Sequence, residues 1–196
     1  MGKIVAIASS TGGPRALQHV VTKLPAGLDA PVLLVQHMLP GFTQALAKRL
    51  DELSEIRVKE AVEHEVIQKG CVYVAPGGVH MNYEKGAGLG KLYFSDQPNS
   101  QGVKPCADYL FESLRESSFD EIICVVMTGM GSDATEGILH LAAKKKIFVI
   151  AQDEPSCTVY GMPRSIVEAG KANKVVDLDQ IAQEIILKVG VKKDGC

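Results

Sequence analysis

The sequence predicts a doubly wound α/β domain, a mainly parallel sheet flanked by helices. Three observations carry that expectation. Short apolar runs rich in Val and Ile alternate with stretches whose apolar residues recur at helical spacing. The runs end abruptly in Gly, Pro or small polar residues. No linker-like stretch, repeat or low-complexity segment divides the 196 residues, a length that closes one substantial core. Strands and helices in alternation favour parallel pairing through right-handed crossovers.

The elements follow in order. Ile4 to Ala8 reads as a buried strand and runs into Ser9-Ser10-Thr11-Gly12-Gly13-Pro14. Pro14 fits a first helical turn, and Ala16, Leu17, Val20 and Val21 give that helix its apolar face. Ala30 to Gln36 is a second strand ending at His37, and Thr43 to Leu53 an amphipathic helix. Val58 to Val66 is short and mixed. Cys71 to Ala75 is a strand closed by Pro76-Gly77-Gly78. His80 to Tyr83 and Lys91 to Phe94 flank a glycine-rich tip, Gly86 to Gly90, as an antiparallel hairpin would. Pro105 to Glu116 has helical periodicity. Glu121 to Met127, the most apolar strand, leads through Thr128-Gly129-Met130-Gly131-Ser132-Asp133 into a helix carrying Ile138, Leu141 and Ala142. Ile147 to Ala151 is a further strand. A helix after Met162-Pro163 and one from Leu178 to Lys188 complete the domain, residues 1–190, and leave 191–196 as a polar, frayed tail.

Composition narrows the partners. A net charge of −2 gives no footprint for nucleic acid, and no apolar run is long enough to cross a bilayer. Nothing at the amino end reads as an export signal. The five cysteines are scattered, without a Cys-x-x-Cys pair or metal-ligand spacing, which fits a reducing cytoplasm. No metal or cofactor is expected.

In a doubly wound sheet, ligands bind outside the carboxyl ends of the strands. Ser10, His37 and Asp133 each lie just past an apolar run and should therefore share one edge. A serine, a histidine and a carboxylate so gathered are the parts of a nucleophile, base and orienter, and the Gly129-Met130-Gly131 turn offers amides for an oxyanion. Each residue also has a plainer reading. Ser10 serves as well in a phosphate cradle at a helix start, His37 as a bonded strand-end histidine, and Asp133 as the cap of the next helix. His80, after a turn, is the one rival base. The glycines do not spell a dinucleotide fingerprint, and no Walker lysine is present. Ala8 breaks the G-x-S-x-G elbow, and the order Ser, His, Asp differs from the α/β-hydrolase order.

Five collinear segments sharpen the choice: Ser9-Ser10-Thr11-Gly12-Gly13, Gln36-His37-Met38-Leu39-Pro40-Gly41-Phe42-Thr43, Val74-Ala75-Pro76-Gly77-Gly78-Val79-His80-Met81, Met127 to Asp133, and Gly161-Met162-Pro163-Arg164. Together they resemble the catalytic domain of the CheB-type chemotaxis protein-glutamate methylesterases, over nearly the whole chain. The resemblance implies Ser10 as nucleophile, His37 as base and Asp133 as its orienter. It also implies Met130 as backbone oxyanion donor and Thr11 as a neighbour that positions the imidazole. The implied fold is doubly wound α/β with an antiparallel hairpin near the cleft. The implied reaction removes methyl groups from glutamate γ-methyl esters on the cytoplasmic helices of methyl-accepting chemoreceptors, with deamidation of receptor glutamines beside it. A monomer is expected, with the hairpin tip touching the receptor helix. Such enzymes typically carry a receiver domain before the esterase. None precedes Lys3 here, so either an excised catalytic fragment or a stand-alone member is expected, in both cases with an uncovered cleft and no phosphorylation switch within this chain. Cys106 stands where the family often has serine, and no catalytic consequence is expected of it.

Overall fold

The computed structural model describes residues 2–98 and 102–192. Its strands are β1 (Lys3–Ser9), β2 (Val32–Gln36), β3 (Arg57–Glu60), β4 (Cys71–Val74), β5 (His80–Glu84), β6 (Lys91–Ser95), β7 (Glu121–Val126), β8 (Ile147–Gln152) and β9 (Lys174–Val176). Its helices are α1 (Gly13–Val21), α2 (Phe42–Leu53), α3 (Ala107–Ser113, continued by a 3-10 turn), α4 (Thr135–Ala142), α5 (Met162–Glu168) and α6 (Leu178–Val189). Seven strands form one parallel sheet in the order β3-β4-β2-β1-β7-β8-β9, and β5 pairs with β6 antiparallel beside it. This is the predicted doubly wound architecture, with its change of winding direction at β1.

The alternation of side chains along β1 divides the core. Ile4, Ala6 and Ala8 join Leu110 and Phe111 of α3, Ile138 of α4 and Ile166 of α5 on one face. Val5 and Ile7 join Leu17 of α1, Leu50 of α2 and Ile185 of α6 on the other. Both faces of the central strand are dry, as a parallel sheet under crossover helices requires.

Two strands went unread in the sequence. β3 overlaps the short, mixed segment 58–66, and β9 lies in the stretch before Leu178 for which the sequence gives no element. Both are edge strands of four and three residues. In β3 the charged residues of an exposed edge erase the apolar run that marks an inner strand, and β9 is too short to show one. The tail also departs from expectation at its start: Val191 pairs with Leu28, and the Lys192 amide bonds the Gly27 carbonyl at 2.8 Å. Residues 193–196 lie outside the described residues.

Close packing of α3 on α4 holds the loop of interest. A Cβ at Gly137 would stand 2.6 Å from the Asp108 carbonyl oxygen and 2.8 Å from its Cα. Backbone cannot yield as a flexible side chain can. We expect Gly137→Ala to force the two helices apart and remove about 1–3 kcal/mol of stability in chemical denaturation.

Candidate active site

The three inner strands end level with one another. Ser9 stands opposite Gln36, and Ala8 opposite Val126. The residues just beyond therefore meet at one edge, where the sheet changes winding direction between β1 and β7. Ser10 leaves β1 with its amide bonded to the Thr128 carbonyl at 2.9 Å. His37 leaves β2 with its amide on the Ser9 carbonyl at 3.1 Å, which puts it beside Ser10. Gly129 presses against Ser10: a Cβ there would come within 2.8 Å of the serine Cβ and would also strike the Met162 sulfur. Only glycine lets the β7–α4 loop come this near.

The loop delivers Asp133 to His37. Nε2 of the imidazole lies 2.6 Å from Asp133 Oδ2, with the two side chains 12% and 2% exposed. The same carboxylate holds the start of α3. Oδ2 accepts the Ala107 amide at 2.7 Å, and Oδ1 accepts the Asp108 amide at 2.9 Å and its own neighbour's, Ala134, at 2.8 Å. The Cys106 thiol approaches Oδ1 at 3.2 Å. The cap reading was thus right in kind and wrong in target. Ala134 is the N-cap residue of α4, whereas Asp133 caps α3 from across the sheet edge. Ala134 takes φ 84° to make this possible, a left-handed conformation that costs a residue with a Cβ about 1–2 kcal/mol.

The electrostatics follow. Burial opposes the Asp133 charge, but the His37 bond and the α3 amides outweigh it and hold the carboxyl well below the usual range. An ionised carboxylate only accepts, so Nε2 of His37 carries the proton and neutral imidazole keeps its lone pair on Nδ1. Asp108 is the counterpart: burial raises its pKa, the Gly137 amide lowers it, and the Asp133 charge raises it further. Cys106, Asp108 and Asp133 gather ligand atoms within 4.8 Å of one another. Those carboxylate oxygens already receive backbone amides, so a cation would have to compete with the helix they hold.

Not every expected contact is present. Among the described residues, Ser10 Oγ makes no hydrogen bond to His37, a looseness common in sites without substrate. Thr11 is exposed, and its carbonyl receives the Thr128 hydroxyl at 2.9 Å, but no bond joins it to the imidazole. The Met130 amide has no partner among the described residues, and the residue is 68% exposed. His80 is buried with both ring nitrogens engaged, which removes it as a rival base. The hairpin meets the site by its base. Its tip bonds Ile67 just ahead of β4, at the opposite edge of the sheet, so the expected contact between tip and receptor helix is not supported.

Several supporting residues escaped the sequence reading. Gln36 accepts from the Ser9 hydroxyl at 2.7 Å and donates to the Ser10 carbonyl at 2.9 Å. Gln152 accepts the Thr128 amide at 2.8 Å, and Thr128 Oγ1 accepts the Thr158 and Val159 amides at 3.1 Å. Each is a buried polar residue closing or just following an apolar run, and that position was the available signal.

Asp108 provides a test of the electrostatics. Its native pKa is raised, so the wild type loses stability relative to a neutral side chain as pH climbs above the unfolded value of about 4. Asn keeps the acceptor for Gly137. Asp108→Asn should therefore melt above the wild type at about pH 8, with the gain vanishing near about pH 4, as followed by thermal denaturation across that range.

Similarity to known proteins gives the family. Residues 5–185 match the family model described as CheB methylesterase. A protein-glutamate methylesterase/protein-glutamine glutaminase of Geobacillus kaustophilus is 48% identical over 187 residues, 95% of this chain and 54% of the relative. One of the same description from Bacillus subtilis is 45% identical over 93% of this chain and 51% of its own length. The chain thus spans about half the length of these curated relatives. The crystal structure of the Thermotoga maritima CheB methylesterase catalytic domain superposes with a TM-score of 0.91 at 39% identity, covering 95% of this chain and 98% of that one. A doubly wound sheet whose loops carry the Ser10, His37 and Asp133 motifs, matched over its length, makes this chain a member of the CheB methylesterase family.

Proposed function

We propose that the chain hydrolyses glutamate γ-methyl esters on the cytoplasmic helices of chemoreceptors, and deamidates receptor glutamines by the same route. The observation that carries this reading is the 2.6 Å His37–Asp133 pair beside Ser10. An anion-binding loop has no use for that pair.

The steps follow from the site. Ser10 Oγ attacks the ester carbonyl carbon while its proton passes to His37 Nδ1, the nitrogen not bound to Asp133. Asp133 stabilises the imidazolium that results. The carbonyl oxygen becomes an oxyanion and takes the Met130 amide. As the intermediate collapses, the ester C–O bond breaks and methanol leaves with the proton from His37. Water then repeats the sequence against the acyl-serine and frees the glutamate carboxylate. With a glutamine the leaving group is ammonia. Thr11, exposed beside Ser10, is assigned to steadying the imidazole once substrate fills the cleft.

The substrate is a protein helix, and the rim suits one. Leu39, Phe42 and Met130 are 71%, 61% and 68% exposed, Leu39 in the turn after His37 and Phe42 at the start of α2. Apolar side chains left in water beside a polar site mark a place where a protein surface settles. We assign the receptor contact to this rim in place of the hairpin tip, and we take the chain to work as a cytoplasmic monomer.

Methanol release from methyl-labelled receptor membranes tests the reading. Ser10→Ala should lower turnover on the order of 10⁴-fold or more, because nucleophile, base and orienter act as a unit. Equal release from both proteins would mean a different nucleophile. No release from the wild type would reject the substrate class.

A further inference from the structure

His80 opens β5 after the Pro-Gly-Gly-Val turn, yet its ring is fully buried at the start of α3. Nδ1 accepts the Cys106 amide at 3.1 Å, and Nε2 lies 2.7 Å from the Gln97 carbonyl. The ring lies tilted against Tyr109, with centroids 4.5 Å apart. These partners fix the tautomer. An amide approaching Nδ1 needs a lone pair there, and a carbonyl beside Nε2 needs a proton. Burial favours the neutral ring, with the Gln97 bond opposing it.

Cys106 is the N-cap residue of α3, directly ahead of the two amides that grip Asp133. Its own side chain supplies no cap, so the turn depends on partners from elsewhere. One is the Asp133 carboxylate and another is His80. Where this turn lies decides where the carboxylate lies, and the carboxylate orients the imidazole of His37. We propose that His80 is a positioning residue for the Asp133–His37 pair, fixing the first turn of α3 through its Nδ1 acceptor. It acts through the Cys106 amide and, being buried, meets no substrate. The catalytic part of this inference rests on the esterase reading above.

Two variants of similar bulk separate the two bonds of the ring. His80→Asn puts Oδ1 where Nδ1 stood, which keeps the acceptor for Cys106 and gives up the Gln97 bond. His80→Gln places an amide near Nε2, which keeps the Gln97 bond and removes the acceptor. The readouts are kcat and KM for methanol release, and the His37 Nε2–H signal in proton–nitrogen spectra, identified by its absence in His37→Gln. His80→Gln should lower kcat about 10–100-fold with KM within about twofold, and should shift the His37 signal. His80→Asn should stay within about threefold of wild type and leave the signal in place. Equal losses in both variants, of turnover or of fold, would overturn the proposal, as would an unmoved signal in His80→Gln. Should the wild type release no methanol, the esterase reading fails, and the spectra alone decide whether His80 positions the pair.

Discussion

One buried carboxylate holds the site and part of the fold together. Asp133 receives the imidazole of His37, the first two amides of α3 and the amide of Ala134. The buried Ala107 and Ala134 amides would otherwise be sealed from water without a partner, at about 1–3 kcal/mol apiece. A negative charge so surrounded stays ionised, and an ionised Asp133 dictates which nitrogen of His37 carries the proton. Helix capping, pKa and tautomer are therefore one interaction seen three ways. The site gains rigidity from this sharing, because the carboxylate cannot turn away from His37 without uncapping α3.

The sheet supplies the remaining constraint. Level strand ends place Ser10 and His37 side by side, and Gly129 brings the β7–α4 loop against them. Buried polar residues then pin each loop: Gln36 to the Ser10 carbonyl, Thr128 to Thr11 and to the loop after β8, and Gln152 to Thr128. Ser10, His37 and Asp133 thus follow strands of dry, largely β-branched residues, while short polar bonds hold the loops that carry them. Leu39, Phe42 and Met130, in or just after the segments that carry His37 and lead to Asp133, are left exposed.

Much of this was legible in the sequence, for a physical reason. Inner strands must be apolar on both faces, so β1, β2, β7 and β8 announce themselves, and a polar residue just past each run falls at the sheet edge where ligands bind. On that ground Ser10, His37 and Asp133 were expected at one edge, where the structure has them. What escaped depends on contacts distant in the chain. Asp133 caps a helix that begins 26 residues earlier, and no local pattern separates that from capping its own helix. The edge strand β3 was hidden by its charged residues, and β9 by its length of three residues. The hairpin was visible as a hairpin, but its direction against the sheet was not, and its tip lies at the opposite edge from the site.

The tautomer of His37 tests this account most directly. Nitrogen NMR of the side chain at neutral pH distinguishes a protonated Nε2 from a protonated Nδ1. The proton is expected on Nε2, bound to Asp133, with Nδ1 open toward Ser10. A proton on Nδ1 would mean that Asp133 does not orient the imidazole as described, and would contradict the arrangement from which the proposed hydrolysis follows.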